Sequence, residues 1–253
     1  MEVRDKFSTI EQYDDLINTC AKIIRKKLDK ISQLEKAEDN HIQLYESISN
    51  YKYISEETSG YWEKTLKILI ARYSKGGEMA EIRSYIPELI NAFTQTQKYK
   101  GALRYDYYIW MLSIFIVLDI GDIGHIFKTI EPSNDYLISY LVKYQIPSLE
   151  MPLYNKFYFK LPYQSTKEII SLAEQGKKDS AVIRLKKYLE KEWYVGNAEM
   201  GWYNDHKSKF NLHFGYWSFE SGALVKILGL DDSGLKGVQY YPYDMVHWNE
   251  NNK

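Results

Sequence analysis

The carboxylate with the most chemical potential is Glu220, set in the run YWSFES between Trp217, Phe219 and a pair of serines. A carboxylate among aromatics is costly to bury unless it finds a partner, and as a catalytic acid it would need a second group, a base or a nucleophile, close by. Asp205 and Asp244 could supply that group, and two carboxylates about 5 to 10 Å apart in a tryptophan-lined cleft would suit glycoside hydrolysis. The competing reading is an ion pair or a helix-terminus contact tying the last helix to its neighbours. Asp231, Asp232 and Asp244 likewise carry two readings. They are turn and cap formers, or they form an exposed acidic cluster facing a basic protein surface. The histidines are His41, His125, His206, His213 and His247. His206 and His213 with Asp205 or Glu220 match no standard zinc spacing, so structural histidines are expected and no metal or cofactor is. No phosphate loop, dinucleotide glycine fingerprint, nucleophile elbow or HExxH motif occurs.

The elements that must position these groups are helical. Ile10, Tyr13, Ile17, Cys20, Ile24, Leu28, Ile31 and Leu34 recur at three or four, and Ser8 with Glu11 has the spacing of a capping box. A second helix is expected over 40–53, a break or an N-terminus at Thr58, Ser59 and Gly60, and a third helix through Trp62, Leu66, Leu69 and Tyr73 up to Gly76 and Gly77. Pro87 predicts a kink or restart in a fourth helix from Met79 to Phe93. Ile109 to Leu118 is apolar all round, too short for a bilayer span of roughly 20 residues, and reads as a buried spine. Ser133 can cap a helix carrying Tyr136 to Tyr144. Residues 146–163, with three prolines, read as an ordered connection.

In the C-terminal half, 166–175 and 179–193 form a helical hairpin, and 197–209 with the segment after it would add another. A helix from Gly215 to Leu228 stops at Gly229, where Leu230 folds back. The expectation is an all-α protein of antiparallel helical hairpins: an N-terminal helical bundle over 1–125 followed by a solenoid-like helical domain over 126–253.

Composition narrows the function classes. Lys plus Arg number 33 against 34 acids, and the first 100 residues carry 16 of each, so no basic nucleic-acid arm is present. Cys20 is the one cysteine, which excludes an intrachain disulfide. The charged N-terminus, MEVRDKFSTIEQYDD, lacks a secretory core, which implies a cytoplasmic protein. The 24 tyrosines suit helix-to-helix packing or a protein-binding face.

The run GYWSFESGALVKILGLDDSGLKG followed by YYPYD resembles the C-terminal domain of the PoNe immunity protein family, bacterial proteins that neutralise a co-encoded DNase toxin. Tyr61 and Trp62 in GYWEKTLKILIARYSKGG are similar to the opening of an apolar helix in the family's N-terminal domain. The resemblance implies a non-catalytic inhibitor of a cognate nuclease of the restriction-endonuclease-like superfamily, with no cofactor and no direct contact with nucleic acid or membrane. Trp217, Phe219, Gly229, Leu230, Tyr241 and Pro242, which carry it, are packing residues. Partner contacts are expected at Asp205, Glu220, Asp231, Asp232 and Asp244. A helical enzyme using Glu220 with a nearby aspartate, and a generic helical protein-binding scaffold, are the alternatives.

Overall fold

The computed structural model describes residues 2–121, 134–147 and 152–249, and among these no strand occurs: the fold is all-α. The chain forms two compact units, one of Met1–Tyr107 with Asn204–Gly215, the other of Tyr108–Tyr203 with Tyr216–Lys253.

In the first unit, α1 (Ile10–Asp39) begins at a capping box one residue later than Ser8 and Glu11 predict. Thr9 Oγ1 accepts from the Gln12 amide at 3.3 Å, and Gln12 Oε1 accepts from the Thr9 amide at 3.2 Å. Ser8 donates instead to the Gln12 side chain. The predicted stripe is buried through Tyr13, Cys20, Ile24, Ile31 and Leu34, with Leu16 joining it and Leu28 left exposed.

The span predicted as a helix over 40–53 is helical only from Asn50 on. Residues 40–49 turn the chain, and α2 (Asn50–Ser74) runs unbroken through Thr58, Ser59 and Gly60. Thr58 and Ser59 both donate their hydroxyls to the Ser55 carbonyl, at 3.0 and 2.8 Å, so they do not compete for the helix ladder. Gly60 lies against α1, where an added Cβ would stand 2.6 Å from Lys27 Cε. The two helices are antiparallel, as the Lys75–Asp14 and Lys27–Glu57 ion pairs at opposite ends show. Gly76 ends α2 region with φ 93°, and the Gly77 amide closes onto the Arg72 carbonyl at 2.9 Å. As Pro87 predicts, the helix restarts: α3 (Met79–Ser84) gives way to α4 (Ile86–Lys98), with the proline where its missing N–H is harmless. Trp62 packs on Phe93 at 5.7 Å between ring centres, and both are fully buried.

The division between the units falls inside α5 (Tyr105–Val117), the predicted spine, whose residues from Tyr107 on are buried. In the second unit, α6 (Tyr136–Gln145) is capped by Asp135, which accepts from the Ile138 amide at 2.9 Å and, with its other oxygen, from the Tyr158 amide at 2.8 Å. That second bond orders part of the predicted connection. Ser133 lies outside the described residues, as do Gly124 and His125. The hairpin of α7 (Gln164–Glu174) and α8 (Lys178–Lys187) turns at Gly176, φ 77°. α8 continues as a π-helical turn, Tyr188–Trp193, and a last α turn, Tyr194–Gly196.

The helical pair predicted from 197–209 does not form; those residues are turns with one 3-10 segment, Asp205–Lys207. α9 is Phe219–Leu228, four residues shorter at its start than predicted. Gly215 has φ 122°, and the Ser218 amide donates to the Tyr240 carbonyl at 2.8 Å, so the backbone is committed to a distant strand of chain before the helix can begin. Its end is as predicted. Gly229 is left-handed, and the Leu230 amide reaches the Val225 carbonyl at 3.1 Å with Leu230 buried. A short α10 (Tyr243–Val246) follows.

Candidate functional site

Glu220 sits in the first turn of α9 and is fully buried. The hydroxyls of Ser218 and Tyr188 donate to its Oε1 at 2.7 and 3.0 Å, and Ser218 also shares a 2.6 Å bond with Ser221. The π-helical turn brings Tyr188 and Trp193, five residues apart, onto the side that faces this carboxylate. Burial raises the Glu220 pKa, and the donors of Ser218, the Glu220 backbone and Tyr188 oppose that rise; Trp193 Nε1 and Glu220 Oε2, both buried, make no hydrogen bond among the described residues. Enclosure on these sides removes Glu220 from any partner-binding surface. It is a helix-terminus contact made with neutral donors rather than an ion pair, and its side chain is fully buried.

The three C-terminal aspartates are not one cluster of like exposure. Asp232 is buried, accepting from the Tyr241 hydroxyl at 2.5 Å and pairing with His247 Nε2 at 2.8 Å, so its side chain is used inside the fold. Asp231 is exposed and closes a turn by accepting from the Ser233 amide at 3.0 Å, which lowers its pKa. Asp244 is exposed on α10.

Asp205 belongs to the other unit, half-buried beside a depression of about 150 Å³ that Phe7, His206, Phe210 and His213 help to line. Burial raises its pKa, while the charges of Lys67 and His213 pull it down. His213 is itself buried, its Nε2 2.6 Å from Asp5 Oδ2, and Tyr13 donates to the same oxygen at 2.9 Å. His206 has a lowered pKa, caused first by burial and then by His213. Among the described residues no group of three or more His, Cys, Asp or Glu side chains is arranged to hold a metal ion.

The turn between α1 and α2 was hidden in the sequence by its apparent helical periodicity. Asn50, almost fully buried at the start of α2, accepts from the Leu44 amide at 3.0 Å and donates to the Ile42 carbonyl at 2.7 Å. Gln43 Nε2 donates to the carbonyls of Tyr45 and Ile48, at 2.7 and 2.6 Å. These bonds hold Ile42 and Leu44 outward, 55% and 43% exposed, beside Tyr51 at 45%. The signal available in the sequence was Asn40, His41, Ser47, Ser49 and Asn50, a polar cluster of turn formers.

Two family models match. Residues 4–126 match the PoNe immunity protein (PoNi), N-terminal, and residues 133–245 match the PoNe immunity proteins (PoNi), C-terminal. The crystal structure of protein PA2201 from Pseudomonas aeruginosa is similar in fold, with a TM-score of 0.60, 15% sequence identity and 97% of each chain covered. No curated protein matches the chain.

Proposed function

The chain belongs to the PoNe immunity protein family, carrying both its domains, and from that premise we propose that it binds and inhibits a cognate DNase toxin of the restriction-endonuclease-like superfamily. The observation that carries the reading is the paired match over 4–126 and 133–245. Inhibition is by occupation: the protein covers the surface that holds DNA or the nuclease active site, and performs no catalysis itself. The enclosed Glu220 supports this, since the carboxylate most suited to chemistry is sealed in the core. Electrostatics supports it too, because a nuclease groove built for phosphates is basic, and exposed acids such as Asp231 and Asp244 would be drawn to it. Asp205, half-buried, stands in the same proposed contact set. The place of action is the cytoplasm, where such a toxin meets DNA; no helix among the described residues is long and apolar enough to cross a membrane.

The test is co-expression with the toxin encoded beside this gene. Growth should be restored, and the two purified proteins should form a complex that no longer cleaves DNA. Continued toxicity together with no complex in solution refutes the proposal.

A further inference from the structure

We infer that the α1–α2 turn, residues 38–49, with Tyr51 beside it, is the surface that grips the toxin, and that the toxin meets it with a basic, apolar-centred face. The inference rests on the proposed function above and names the contact it left open.

Three properties of the turn converge. It exposes Ile42, Leu44 and Tyr51, large side chains that gain from being covered. It presents them on a backbone already fixed by Asn50 and Gln43, so little ordering entropy remains to be lost on binding. Its exposed charges between 38 and 49 are acidic, Glu38, Asp39 and Glu46; the cations beside them are Lys30, which donates to the Tyr45 hydroxyl at 2.7 Å, and Lys36 and Lys52, which flank the stretch.

Two of those acids work against the fold. Glu38 and Asp39 close α1 at its C-terminus, the negative end of the helix dipole, where a carboxylate is unfavourable. Local stability therefore does not account for them, whereas a cationic partner does. The exposed apolar residues of the second unit stand in the opposite field. Over 153–195, where Tyr158, Leu161, Ile183 and Val195 are exposed, eight exposed lysines face four exposed acids, and a DNA-binding surface would be repelled there.

The test uses the purified full-length chain and the product of the adjacent toxin gene, inactivated in its nuclease centre. Glu38→Lys/Asp39→Lys/Glu46→Lys is expected to slow association more than about tenfold at low salt and to flatten its salt dependence. Ile42→Ala/Leu44→Ala is expected to raise the dissociation rate at least about tenfold. Glu190→Lys/Glu199→Lys, at two exposed acids outside the proposed contacts, serves as the comparison and should leave the dissociation constant within about threefold. Glu38→Gln/Asp39→Asn should weaken binding while leaving the melting temperature equal or higher, a split that a structural role for these acids would not produce. Failure of the unmodified protein to bind defeats the proposed function and this inference with it. Tight binding by the unmodified protein with undiminished binding by both turn variants, or loss of binding only in the Glu190 and Glu199 variant, defeats the inference alone.

Discussion

The Tyr188 hydroxyl donates to Glu220 Oε1 at 3.0 Å, joining a π-helical turn to the first turn of α9 with both side chains buried. Buried carboxylates ordinarily find donors of this kind. Here they compensate for burial, and the compensation is incomplete, because burial still leaves the pKa raised.

The sign of the pH dependence follows. An acid whose pKa is raised on folding binds its proton more tightly in the native state, so its stabilising contribution is complete below the unfolded value of about 4.3 and is lost as pH rises through the folded value. Glu220→Gln imitates the protonated group. Urea denaturation should find the variant close to the parent near pH 4 and more stable than it at pH 8. A variant less stable than the parent at pH 8 would mean that the charged carboxylate is the form the core prefers.

Asp231 and Asp232 are neighbours that should respond differently to removal. Asp232→Ala removes the acceptor of the buried Tyr241 hydroxyl and the partner of His247 Nε2, at a cost of about 1 to 3 kcal/mol. Asp231→Ala removes one exposed turn contact to Ser233 and should leave the denaturation midpoint nearly unchanged. Equal effects from the two substitutions would contradict their assigned burial.

What could be read from the sequence divides by the range of the interactions that decide it. Periodicity and local punctuation sufficed for α1, for the restart at Pro87 and for the stop at Gly229, because each is set within one or two helical turns. Contacts distant in sequence decided the rest. Nothing near Ser218 announces that its amide is taken by Tyr240, which delays α9 to Phe219. Nothing near Gly60 announces Lys27 of α1, so a packing glycine looked like a break. Among the candidate site residues, residue type placed Glu220 correctly among aromatics but could not say whether it faced a cleft or a core, and it did not separate Asp232 from Asp231. The turn at 40–49 carries a helical pattern in sequence, because Ile42, Tyr45 and Ile48 keep helical spacing while Asn50 and Gln43 use their side chains to hold another shape.

The glycines at 60 and 222 make opposing predictions for one substitution. At Gly60 the added Cβ meets the flexible end of Lys27, which can move aside, and the helix gains up to about 1 kcal/mol from alanine. Gly60→Ala should therefore melt at or above the parent temperature. At Gly222 the Cβ would stand 2.8 Å from Val246 Cγ2 and 3.2 Å from Pro242 Cγ, a branched side chain and a ring with little freedom to retreat. Overpacking of about 1 to 3 kcal/mol outweighs the helix gain, so Gly222→Ala should be destabilised. Two variants with the same sign of effect would show that one of these neighbourhoods is more yielding than its geometry indicates.

Asn50 offers a way to disturb the α1–α2 turn without touching a side chain that a partner could contact. Its amide oxygen accepts from the Leu44 N–H, and its amide nitrogen donates to the Ile42 carbonyl. Asn50→Ala loses both bonds, and with the Leu44 amide left seeking water the native state should lose about 1 to 3 kcal/mol. Asn50→Asp keeps an acceptor for Leu44 and loses the donor to Ile42. Amide hydrogen exchange separates the two: Leu44 should stay protected in Asn50→Asp and exchange freely in Asn50→Ala. If exposed Ile42 and Leu44 bind because they are held in place, toxin affinity should follow the same order, with the parent tightest, the aspartate variant intermediate and the alanine variant weakest. Equal affinities alongside different exchange would show that the turn orders itself on binding at little cost, and that its rigidity serves the fold alone.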